Sequence, residues 1–172
     1  MRYKIIIYFL LSWLALIIQI SFLNNFYFLS IINLPLMAIV LMICLSDFTW
    51  TAILAIWSGI FLDLYSGLPF GVYLFCFFLT AIILEFLFLN WLTNRSLFAL
   101  MILGLVSVLS YNLIFVIVTG TFHLFGWNDF VLGWGYLGFV VLQLVYTSVL
   151  LYVCFRVINK LSKSFKPIFL RS

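Results

Sequence analysis

Residues 34–62 read LPLMAIVLMICLSDFTWTAILAIWSGIFL, a run of 29 positions interrupted by one charge, Asp47. As a single helix it would be roughly 44 Å long at about 1.5 Å per residue. A bilayer core is only about 30 Å thick. A continuous helix would also hold Asp47 near the bilayer centre, at a cost of about 2.5–3.5 kcal/mol. Read as a hairpin, Ser46-Asp47 becomes a turn and Asp47 caps the second helix from the water side. The choice between these readings sets the number of membrane crossings at five or six.

The composition establishes that lipid is the solvent in question. The chain has 172 residues, 68% hydrophobic and 7% charged, with a mean hydropathy of +1.37. Soluble domains run at about 45–50% apolar and about 25% charged. A fold of this size must leave much of its surface outward, so such a chain does not suit water. That excludes a cytosolic enzyme, a secreted disulfide scaffold, a disordered chain and a nucleic-acid binder. The apolar runs are long and unbroken, without the alternation of a membrane barrel, so the spans are helical. Cys44, Cys76 and Cys154 are widely spaced within apolar runs and read as small apolar fillers.

Apolar stretches fall at about 5–23, 31–46, 48–62, 70–92, 97–122 and 131–155, with a basic tail over 156–172. With six spans and an internal amino terminus, Arg2, Lys4, Arg95, Arg156, Lys160, Lys163, Lys166 and Arg171 all lie on the cytoplasmic side. Five spans would leave only the first two there. The positive-inside bias prefers six. The expected fold is therefore an all-α integral membrane protein, a single six-helix domain with both termini inside and no soluble domain. The first span lacks a small-x-small cleavage site and reads as a retained helix. Arg156, Lys160 and Lys163 recur at helical spacing opposite Val157, Leu161 and Phe165. This predicts a basic amphipathic helix along the inner leaflet, with Lys166 close behind.

Polar residues at depth are few. Gln19, Asn112 and Gln143 each place an amide in a span, where interhelical hydrogen bonds contribute about 0.6–2 kcal/mol. Gly104, Ser107 and Ser110 form a shallow stripe that lets another helix approach. Glu85, about 10 Å from an inner helix end by helical rise, is expected to snorkel or to pair with a cation. Gly133-Trp134-Gly135-Tyr136-Leu137-Gly138 matches GxGxxG, but without a preceding strand it reads as packing. His123 is the only histidine, and no HExxH or GxSxG occurs. Ser66, His123 and Asp129 could form a triad by composition alone, with no supporting spacing. No catalytic set, metal or cofactor is expected.

The densest polar cluster is Ser58-Gly59-Ile60-Phe61-Leu62-Asp63-Leu64-Tyr65-Ser66-Gly67-Leu68-Pro69-Phe70-Gly71. It reads as a helix end, a tight turn and a new start. Asp63 accepts backbone N–H groups of the turn, and Gly67 provides a left-handed helix stop. Pro69 occupies the first turn of the next helix, and Gly71 permits a close backbone approach.

The pattern Gly59-x3-Asp63-Leu64-x-Ser66-Gly67-x-x-Phe70-Gly71 resembles the rod shape-determining MreD family. So do the six-span layout, Leu16-Ile17-Ile18-Gln19, Pro35 and Arg95-Ser96-Leu97. The chain departs from that family at Leu36, at Asn112 and in the first cytoplasmic turn, which is only Ser46-Asp47. The resemblance implies a non-catalytic scaffold of the bacterial inner membrane. Its partners would be a single-span MreC-like protein and, through it, an MreB-like filament and the peptidoglycan synthases. Gln19, Gly59, Asp63, Ser66, Gly67, Pro69, Gly71 and Asn112 would form the partner-binding surface. The alternative is the substrate-binding membrane subunit of a vitamin transporter. That function requires a polar, aromatic outer pocket and a small-residue stripe on the first span, where Ser12 and Ala15 stand at the wrong spacing.

Overall fold

A computed structural model describes residues 13–14, 16–19, 21, 31–45, 48–91, 97–126 and 134–162. Six helices account for nearly all of them, and no strand occurs among the described residues. Helix α1 is helical at every described position of 13–21. It is followed by α2 (Leu34–Leu45), α3 (Phe48–Tyr65), α4 (Val72–Trp91), α5 (Leu97–Leu124) and α6 (Trp134–Ser162). Among the described residues four helices, α3 to α6, are long and apolar enough to cross a membrane.

The chain breaks between α2 and α3 where the lone acid predicts a turn; Ser46 and Asp47 themselves lie outside the described residues. The boundaries differ from expectation in informative ways. Helix α2 has only 12 residues, about 18 Å at about 1.5 Å each, short of the predicted span over 31–46. It packs against α3, α4 and α5 at once. Leu36, Ile39, Val40 and Ile43 are almost wholly buried on it. A helix that is apolar all round belongs inside protein, and this one forms the centre of the bundle. Helix α3 runs three residues past its predicted end, so Asp63 sits in its last turn. Helix α6 continues from the membrane-length segment into the predicted basic region as one element.

Two close approaches fix the packing. A Cβ added to Gly59 would collide with the Cα of Leu74 and lie 2.8 Å from its backbone nitrogen, so α3 and α4 touch main chain to main chain there. The second approach joins α5 and α6, where the Leu151 side chain fills the place of a Cβ on Gly104. Gln143, Thr147 and Leu151 form the buried stripe of α6, at the four-residue spacing of one helix face. Val141, Val145, Val149 and Val153 are exposed on the same helix and suit lipid. Gly135 and Gly138 meet nothing within 4 Å among the described residues, so the packing role expected for that stretch does not show among them.

Between α4 and α5 four rings close a loop. Phe77 stacks on Tyr111 at 5.2 Å, Tyr111 on Phe115 at 6.2 Å, Phe115 lies 5.9 Å from Tyr73, and Tyr73 is 6.4 Å from Phe77. Such offset pairs add about 0.5–1.5 kcal/mol each beyond area burial. Hydroxyls in the apolar interior turn back to their own helix. Ser58 donates to the Leu54 carbonyl at 2.8 Å, Thr80 to Cys76 at 2.6 Å and Ser107 to Gly104 at 2.7 Å. They therefore need no partner across the bundle. The Ser107 and Ser110 hydroxyls of the predicted stripe both bond within α5. Thr51 is buried with no partner for its hydroxyl, and nothing in the structure explains it.

These contacts predict an asymmetry between two identical substitutions. Gly59→Ala must separate two backbones and is expected to destabilise by about 1–3 kcal/mol. Gly104→Ala meets only the end of a flexible leucine and is expected to be milder. Thermal unfolding of both variants in detergent should rank them in that order.

Candidate functional site

The start of α4 is built almost entirely from the 59–71 cluster. Gly71 is the N-cap residue of α4: its carbonyl accepts the Phe75 N–H at 2.9 Å, the first bond of the helix. Glycine has no side chain with which to cap, so Asp63 supplies one from the preceding helix. Its Oδ1 accepts the Tyr73 N–H at 2.8 Å and its Oδ2 the Leu74 N–H at 3.1 Å. The remaining orphan donor, Val72 N–H, meets the Pro69 carbonyl at 3.4 Å. The N–H groups of the first three helical residues are thereby used. The carboxylate itself is buried, at 4% exposure, and favours the positive end of the helix dipole.

Three expectations for this segment are corrected by the geometry. Gly67 is not the left-handed residue: its Cβ position is open space, and the positive φ, +104°, belongs to Gly71. The Pro69–Val72 bond closes a turn with Gly71 third, the position where a type II turn demands positive φ. Gly71 does not permit the close backbone approach, because an added Cβ would be 3.7 Å from the Phe75 ring, an ordinary contact; Gly59 does. Pro69 opens the turn and lies three residues ahead of the first helical residue, not within the first turn of α4. Ser66 donates to the Asp63 carbonyl at 3.3 Å and tightens the end of α3.

Helix α2 begins by the same device. Asn33 is its N-cap, with its carbonyl on Met37 N–H at 3.2 Å and its side-chain oxygen on Leu36 N–H at 3.2 Å. Pro35 has no N–H to satisfy. The last donor, Leu34 N–H, reaches Gln19 Oε1 on α1 at 3.1 Å. Gln19 is thus glue within this chain. So are the other two predicted amides: Asn112 Nδ2 donates to Gln143 Oε1 at 2.8 Å, joining α5 to α6. Asn112 also donates to the Val108 carbonyl and accepts from the Tyr136 hydroxyl, both at 2.8 Å.

These polar groups surround one cavity of about 340 Å³ at the end of the bundle where α2 and α4 begin. Amides line it from four helices, at Gln19, Asn33, Asn112 and Gln143, and phenols from three, at Tyr73, Tyr111 and Tyr136. Phe115 and Phe139 add apolar ring faces. Sequence reading finds three of these amides and misses Asn33 and all three tyrosines. The Asn33-Leu34-Pro35 order is an N-cap signal that could have revealed Asn33. The tyrosines become legible only once helix rotation is known.

The predicted site residues therefore divide. Gln19, Gly59, Asp63 and Asn112 are turned into the bundle and support a surface indirectly. Ser66, Gly67, Pro69 and Gly71 shape the connection, on which Leu64, Tyr65 and Phe70 are 65%, 69% and 63% exposed. Arg156 folds back along α6, donating to the Tyr152 hydroxyl at 2.7 and 3.0 Å. Lys160 falls within α6 beyond its described side chains; Lys163, Lys166, Arg95 and Asp129 lie outside the described residues. Among the described residues no three His, Cys, Asp or Glu side chains gather as metal ligands.

No protein-family model, characterised protein or solved structure matches the chain.

Asp63→Ala should leave two buried N–H groups without an acceptor, at about 1–3 kcal/mol each. Asp63→Asn, which keeps one oxygen, should fall between the variant and the original chain in thermal unfolding. For the amide pair, a double-mutant cycle of Asn112→Leu and Gln143→Leu should return a coupling of about 0.6–1.7 kcal/mol. A coupling of zero would show that the bond contributes nothing.

Proposed function

We propose that the protein is a non-catalytic scaffold of the cell-elongation machinery in the bacterial inner membrane. Both termini lie in the cytoplasm, and a single-span MreC-like partner connects it to an MreB-like filament and to the peptidoglycan synthases. The reading rests on the MreD-like pattern of 59–71. Its physical support is that Gly59, Asp63 and Gly71 each answer a separate demand of one rigid connection. A segment built so tightly, with three large apolar side chains exposed on it, suits the presentation of a fixed surface to a neighbouring protein. The inward residues hold that surface; Leu64, Tyr65 and Phe70 touch the partner. The cations from Arg156 onward face the inner leaflet and fix orientation.

Co-purification with the MreC-like protein tests this. A Leu64→Ser, Tyr65→Ser, Phe70→Ser variant that still inserts should recover several-fold less partner; equal recovery removes the docking surface. Depletion in a rod-shaped host should round the cells, and unchanged shape argues against the elongation role.

One observation favours a second reading, the substrate-binding membrane subunit of a vitamin transporter. The polar, aromatic lining of the cavity suits the pocket such a subunit requires. Neighbouring genes for ATPase subunits and energy-dependent uptake would support it; neighbours encoding MreB- and MreC-like proteins would support the scaffold.

A further inference from the structure

The cavity between α1, α2, α4, α5 and α6 has its own chemistry. Among the described residues its lining carries no acid, no Lys or Arg and no histidine. Asp63, with both oxygens engaged by backbone N–H groups of α4, is not part of that lining. An ion entering a lipid-surrounded cavity without a counter-charge would lose its hydration uncompensated. The described lining thus suits an uncharged occupant.

The hydrogen-bond inventory shows which lining groups remain open. Both Asn112 Nδ2 hydrogens are committed, to Gln143 and Val108, and its oxygen holds Tyr136. The Asn112 bond fixes the Gln143 amide with its oxygen toward α5. That leaves both hydrogens of Gln143 Nε2 without a partner among the described residues, on a side chain only 2% exposed. The Tyr73 hydroxyl also makes no hydrogen bond among the described residues. Two donor positions, one on buried Gln143 and one on half-buried Tyr73, thus stand open to the cavity and can give hydrogen bonds to acceptors within it. Aromatic rings line the same space, at Tyr111, Phe115 and Phe139, and Tyr111 and Phe115 stack on each other. The 340 Å³ lies at the lower end of the range of about 300–1,000 Å³ for small-molecule sites.

We infer that this cavity binds an uncharged heteroaromatic small molecule, whose carbonyl oxygen or ring nitrogen accepts from Gln143 Nε2 and Tyr73 Oη while its ring lies against Phe115 and Tyr111. The scaffold reading does not require this site. The second reading shares it, and the inference adds the class of molecule and the residues that select it.

Titration of the full chain in detergent micelles tests the assignment, with nicotinamide, theophylline and lumichrome as uncharged probes and nicotinate as the anionic counterpart. At least one uncharged probe should bind saturably, one per chain, and nicotinate at least tenfold more weakly than nicotinamide or not at all. Tyr73→Phe removes a hydroxyl that makes no hydrogen bond among the described residues, so the fold should survive, and affinity for the bound probe should fall about tenfold. Gln143→Leu should abolish binding; should it fail to fold, Tyr73→Phe alone decides. Absence of saturable binding by all three uncharged probes overturns the inference. So does equal binding of nicotinate and nicotinamide, or unchanged affinity in Tyr73→Phe. Saturable binding without energy-dependent uptake leaves the site standing and removes the transporter reading; uptake without binding at these residues does the reverse.

Discussion

The first backbone donors of a helix have no acceptor within it, and this protein is organised around meeting them. At α4 the solution is one carboxylate accepting two N–H groups from across a turn, with a proline carbonyl taking the third. Losing an acceptor there costs about 1–3 kcal/mol per donor, and the bond between Asp63 and α4 fixes more than a local geometry. It holds the last turn of α3 against the first turn of α4, and the absent side chain of Gly59 then lets the two backbones meet one turn deeper. The exposed connection inherits its shape from these two contacts.

The same logic operates at α2 with neutral groups. Gln19 reaches over from α1, Asn33 caps its own helix, and Pro35 removes a donor altogether. Two helix starts at one end of the bundle thus draw polar side chains into an otherwise apolar interior. Further along, Asn112 and Gln143 do likewise for α5 and α6. The cavity lies where these polar groups converge, and so follows from capping the helices as much as from any ligand.

Much of this is legible in the sequence because the physics is local. Asp47 alone predicts the break that separates α2 from α3. Asp63 and Pro69 mark a connection, and amides at depth announce bonds between helices. What the sequence conceals is direction. Gly67 and Gly71 are both plausible left-handed residues until the Pro69 carbonyl selects Val72 and so decides which glycine turns. Gly59 becomes critical only because Leu74 faces it, fifteen residues away along the chain. Tyr73, Tyr111 and Tyr136 look like ordinary aromatic residues of apolar helices until rotation brings them to one wall. Uniformly apolar helices carry little periodicity to reveal rotation, which is why these residues escape a reading of the chain alone.

The brevity of α2 has a consequence for the protein's response to its surroundings. Transmembrane segments in contact with acyl chains tilt, stretch or crowd when a bilayer thickens or thins, at a fraction of a kcal/mol per Å. A 12-residue helix enclosed by α3, α4 and α5 has other side chains as its solvent and does not sense that change directly. Lipid composition therefore acts on the outer staves of the bundle, while the axis they surround keeps its length and its end-caps from one membrane to another.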